Sequence, residues 1–122
     1  MKKILLTLTI LIMTMALSAL DLNGEAQSLK EVNPYVYTAI KTRAANEWGN
    51  DHEMVVYEIN QQSKALFEAD GILKIDQDIS AEALVTWSDE LFEDGKPLYE
   101  MSIDWVMVVY EIKKQLESKG AY

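Results

Sequence analysis

The chain contains no cysteine, which rules out disulfides, thiolate metal sites, a thioether-linked haem and a lipoprotein anchor behind its first apolar run. Histidine is almost as scarce. His52 stands alone in what reads as the first turn of a helix, so a zinc site has no second imidazole to draw on. Only five glycines and two prolines are present, and none of the glycines forms a phosphate-cradling loop or a nucleophile elbow. Serine and tyrosine are available, but no histidine or lysine accompanies them at a spacing that would activate a nucleophile. Enzyme activity is therefore not expected, and no cofactor or metal is implied.

Long apolar runs are limited to one. Met1-Lys2-Lys3 is a short basic start, and Ile4 to Leu20 follows with only Thr7, Thr9, Thr14 and Ser18 to interrupt it. This is the layout of a signal peptide over residues 1–20, with cleavage near Ser18 to Leu20. The alternative is a retained anchor, for which seventeen positions are slightly short of a span of about 30 Å. The expected address is periplasmic or secreted, in a bacterium.

Basic residues are the other shortage, 11 against 20 acidic ones. Loss of Lys2 and Lys3 with the signal segment leaves nine, and a net charge of −11. Such a field repels phosphate backbones and anionic headgroups, which excludes nucleic acid and, after cleavage, a membrane surface. It attracts a basic protein.

What the sequence does hold is a repeat. Met54-Val55-Val56-Tyr57-Glu58-Ile59 returns as Met107-Val108-Val109-Tyr110-Glu111-Ile112, with Gln62 and Gln115 at the same distance behind. Chance is a poor explanation for a shared hexapeptide in so short a chain, and internal duplication a better one. An offset of 53 also sets Asp51 opposite Asp104 and His52 opposite Trp105.

Around the repeat the chain reads as helices. Residues 21–33 are a polar lead-in with little periodicity. Asn33 caps and Pro34 opens a helix to Trp48, in which Val36, Ile40, Ala44 and Trp48 recur every four residues. Gly49 ends it, and Asn50 or Asp51 caps the next helix, which runs to Asp70-Gly71. Residues 71–79 read as an extended connector. Asp76, Asp78, Ser80 and Glu82 alternate as calcium ligands would, but Ala81 stands where the turn glycine belongs and Trp87 where the bidentate carboxylate belongs. Ser80 reads instead as the cap of a third helix whose buried face is Ala81, Leu84, Val85, Ser88, Leu91 and Phe92, with Trp87 at its edge. Pro97 opens a fourth, to Lys119, whose seam is Leu98, Met101, Trp105, Val108, Ile112 and Leu116.

The expected fold is thus all-α: a four-helix bundle of two helical hairpins, 34–70 and 80–119, in a single domain over residues 34–120. Two sets of residues are candidates for binding. Opposite the seam of the last helix lie Tyr99, Ile103, Val106 and Tyr110, an apolar stripe that the first copy lacks. Glu58, Gln62, Glu111 and Gln115 would meet if the duplicated helices packed about a pseudo-two-fold axis. The leading expectation is an exported protein that works by protein–protein binding, with inhibition of a basic wall-degrading enzyme as one concrete form. A homodimer is a further use of the apolar stripe. A bundle that binds a small ligand or cation through the glutamate–glutamine set is the first alternative, and a structural envelope protein without catalytic activity the second.

Overall fold

Five asparagine or aspartate side chains mark where five helices begin. In the computed structural model, which describes residues 21–93 and 95–120, each caps its helix by accepting from a backbone N–H three positions on. Asn23 accepts from Ala26 at 2.8 Å and opens α1 (Gly24–Val32). Asn33, with Pro34 behind it, opens α2 (Pro34–Trp48). Asp51, Asp76 and Asp104 open α3 (His52–Ile72), α4 (Gln77–Thr86) and α5 (Trp105–Ser118). The protein is all-α, and no strand occurs among the described residues. No helix among them is long and apolar enough to cross a membrane. The expected signal peptide, 1–20, lies outside the described residues.

α3 is the central element, packed by α1, α2 and α5, and α4 lies against α5. Gly49, at φ 57°, takes the left-handed turn between α2 and α3. The core runs through Val36 and Ile40 of α2, Val55, Ile59 and Leu66 of α3, and Trp105, Val108, Ile112 and Leu116 of α5. The repeated hexapeptide packs alike in both copies. Its two valines and its isoleucine are buried each time, its methionine and glutamate are half-buried, and its tyrosine is exposed, 53% at Tyr57 and 57% at Tyr110. Helical periodicity accounts for this: positions 2, 3 and 6 of the six fall on one face and position 4 falls opposite.

Three expectations are corrected. The lead-in contains a helix, because reciprocal bonds tie Asn23 to Asn60 of α3 (Asn23 N to Asn60 Oδ1 at 2.8 Å, Asn23 Nδ2 to Asn60 O at 3.0 Å) and let α1 bury Ala26 and Leu29. Ser80 is not a cap. It sits inside α4, buried, with its hydroxyl donating to Leu73 O at 2.9 Å, and Asp76 caps in its place.

The fourth helix is the largest difference, since residues 98–104 do not belong to α5. Leu98–Glu100 form one 3-10 turn, and Met101 to Ile103 are extended, bridging Ser88. Asp89 N donates to Ser102 O at 2.8 Å and Asp104 N to Trp87 O at 2.9 Å. An extended backbone puts Met101 and Ile103 on one side of the chain, and both are buried at 2% exposure. A helix would have split them.

Candidate partner-binding surface

Where α4 stops, the chain makes a loop with its polarity reversed. Ser88 Oγ donates to Glu90 O at 2.7 Å and sets the turn. Asp89 then reaches back, its Oδ2 accepting from Arg43 Nε of α2 at 2.8 Å and from Ser102 Oγ at 2.8 Å. Glu90 does the same, accepting from Ser102 N at 3.1 Å and pairing with Lys96. The ammonium of Lys96 and the Ser102 amide hold the Glu90 carboxyl below the usual carboxylate range, so it stays charged at neutral pH. With Asp89 and Glu90 engaged in this way, the apolar residues that follow are left facing water: Leu91 is 86% exposed and Phe92 45%. Val85 at the end of α4 is exposed beside them, and the group lines a shallow depression of about 220 Å³.

Arg43 ties this loop to the rest of the protein. Besides Asp89 it faces Glu47 at 3.6 Å, Glu58 at 3.7 Å and Asp104 at 3.4 Å, so one guanidinium sits among four carboxylates from α2, α3, the loop and the cap of α5. Desolvation raises the pKa of Glu58, and the nearby charges of Glu47 and Asp104 add to it, while the Gln62 hydrogen bond and Arg43 act the other way. Arg43 is thus the counter-charge that lets the loop's root and the start of α5 share one place.

The glutamate–glutamine set is divided by the structure. Gln62, 2% exposed, donates to Glu58 at 3.1 Å and to Asp104 at 2.8 Å, and accepts from Trp105 N at 2.6 Å. Gln115 donates to Glu111 at 3.4 Å within α5. Each pair therefore repeats the same i, i+4 bond, and the hydrogen bonds of Gln62 lead to the start of α5, not to the second pair. Among the described residues no group of three or more histidine, cysteine, aspartate or glutamate side chains is placed to hold a metal ion.

The expected apolar stripe is divided as well. Ile103 lies in the core, and Tyr99 sits in the 3-10 turn with its ring tilted against Trp105 at 5.6 Å and its hydroxyl on Asp70. Val106 and Tyr110 remain exposed, one turn apart on α5. The physical reason is the extended segment before Trp105, which removes the helical phase that would have aligned the four. Ala81, Val85, Leu91 and Phe92, expected on the buried face of the third helix, are exposed, because that helix buries Ile79, Ser80 and Ala83 and ends at Thr86. The acidic and apolar alternation Asp89-Glu90-Leu91-Phe92-Glu93 was the signal available.

Compared with protein-family models, with curated proteins and with solved structures, the chain matches none.

Proposed function

We propose that this is an exported, non-enzymatic binding protein that captures a basic protein partner through the loop after α4, with Leu91, Phe92 and Val85 as its apolar anchors. The observation that carries the reading is the reversed polarity of that loop. A loop that turns the carboxylates of Asp89 and Glu90 to Arg43, Ser102 and Lys96 and leaves a leucine 86% and a phenylalanine 45% exposed forgoes most of the ~1.5–3 kcal/mol that burying the first would contribute and a smaller part for the second. A partner surface that covers them recovers it, and the chain's net charge of −9 selects a basic one. Export rests on the basic start and apolar run of residues 1–20, and an inhibitor of a cationic wall-degrading enzyme remains one concrete form. Val106 and Tyr110 on α5 are a second exposed apolar pair for the same kind of contact, or for a homodimer.

The architecture behind this surface is proposed to be a duplication of one helix–linker–helix unit. The first residues of α1 and α4, Gly24 and Gln77, are 53 positions apart, as are those of α3 and α5, His52 and Trp105. The caps keep the same offset, Asn23 with Asp76 and Asp51 with Asp104. In this reading the linker is an α-helix once, as α2, and once, over residues 87–93 and 95–104, has a single 3-10 turn and no α-helix. The binding loop is then what the second copy made of its linker.

The test is a photo-crosslinker placed at position 91 of the purified protein and activated in an envelope extract. One crosslinked protein of basic isoelectric point, suppressed by excess unlabelled wild type but not by the unlabelled Leu91→Ser, Phe92→Ser chain, and reduced at high salt, supports the reading. Absence of any adduct, adducts that salt leaves unchanged, or adducts that the serine variant suppresses as well as wild type does, removes it.

A further inference from the structure

The end of α1, the start of α2 and the last turns of α3, with Tyr99, line a pocket of about 150 Å³ that opens to solvent. Its walls are Leu29, Val36, Leu66 and Phe67, and its polar rim is Asn33, Asp70 and Tyr99. A cavity of about 150 Å³ walled by leucine and phenylalanine side chains accepts a molecule the size of benzene. Size alone sets an upper limit of one small ring or a short branched chain.

The rim decides the charge of the occupant. The Tyr99 hydroxyl donates to Asp70 Oδ1 at 2.7 Å, which holds the exposed carboxylate at the pocket mouth. Burial, with Asp70 beside it, pushes the tyrosine's pKa up to about 12, so it remains a donor at any physiological pH and adds no second negative charge. An anion entering here meets Asp70 and a chain of net charge −9. An ammonium meets an acceptor whose orientation the tyrosine has already fixed, next to apolar walls of the right size.

We propose that this pocket binds a small primary amine bearing an aromatic or branched aliphatic group, with the ammonium on Asp70 and the apolar part against Leu29, Val36, Leu66 and Phe67. None of the anchors Val85, Leu91 and Phe92 lines this pocket, so the pocket and the partner surface stand or fall separately.

Benzylamine and benzyl alcohol, matched in shape and different in charge, are the probes, titrated into the purified protein and its Asp70→Asn variant and followed by amide NMR. Benzylamine is expected to shift amides near positions 29–36, 66–70 and 99, and benzyl alcohol to bind about tenfold more weakly, the size of one charge-assisted hydrogen bond. Asp70→Asn, a surface change that spares the fold, is expected to abolish that preference while Phe67 still responds to both probes. Equal binding of the two probes, an unaffected Asp70→Asn variant, or shifts scattered over the acidic surface would each overturn the proposal.

Discussion

Gln62 reaches from the middle of α3 to the first residue of α5, where its carbonyl oxygen accepts from Trp105 N at 2.6 Å while its amide donates to Asp104, the cap of that helix, at 2.8 Å. A buried side chain of one helix that carries the hexapeptide thus completes the start of the other. Its counterpart Gln115 bonds only within its own helix, to Glu111. The two glutamines share a place in the repeat and differ in what they hold.

This asymmetry has a measurable consequence. Gln62→Leu keeps the volume but strands the Trp105 amide and takes one donor from Asp104, which keeps Met107 N and Arg43, and should cost about 2 kcal/mol of stability in urea denaturation. Gln115→Leu, at a half-exposed position, should cost less than about 1 kcal/mol. Equal losses would mean that the bond to α5 contributes nothing beyond local helix packing.

Arg43 offers the second expectation. Arg43→Met leaves four carboxylates facing one another, and should destabilise by about 2 kcal/mol at neutral pH, below the usual figure for a buried pair because Asp89 and Glu47 are open to solvent screening. Part of the loss depends on Glu58. Its folded pKa is raised above the ordinary 4.5, so the folded state binds its proton more tightly than the unfolded state does. Ionising it therefore lowers stability as pH rises from 4.5 through the folded value. Glu58→Gln should accordingly gain on the wild type between pH 4 and pH 7. A difference between the two that does not change with pH would show that Arg43 and Gln62 cancel the desolvation of Glu58.

The physical origin of what could be read from residues alone is visible in these same positions. α2 and most of α3 were legible because their apolar residues recur at helical spacing and their boundaries carry Asn33-Pro34 and Gly49. α1 was not, since only Ala26 and Leu29 are buried and its clamp lies on Asn60, 37 positions from Asn23. Residues 98–104 were misread because Leu98, Met101 and Trp105 satisfy a heptad as well as Met101 and Ile103 satisfy a strand. A backbone bridge to residues 87–89 chose between them, and no local pattern records such a bridge. The split of the glutamate–glutamine set follows from the same cause, because Gln62 found the cap of α5 instead of the second pair.

The loop after α4 should tolerate change in the isolated protein and not in the complex. Leu91→Ser with Phe92→Ser removes one side chain that is mostly in water and one that is about half in it, so stability in thermal unfolding should move by no more than about 1 kcal/mol, and the variant should be the more soluble one. Capture of the basic partner should be lost. Val106→Ser with Tyr110→Ser is the matched control on α5: if it abolishes capture and the loop variant does not, the binding face lies on the helix. If either pair unfolds the domain, that face is core in solution.

Tyr99 gives an expectation that can be read without any ligand. Its pKa of about 12 has burial as the larger cause and Asp70 as the smaller, through both the hydrogen bond and the charge. Ultraviolet titration of the wild type against Tyr99→Phe isolates the one phenol among six. In an Asp70→Asn background the same difference should titrate lower, because a neutral amide no longer opposes the phenolate. It should stay above the ordinary 10.0, because the ring keeps its place against Trp105 and burial is the larger cause. A fall all the way to 10.0 would mean that the carboxylate, not the packing, holds the hydroxyl at the rim of the pocket, and that replacing Asp70 frees the whole 3-10 turn.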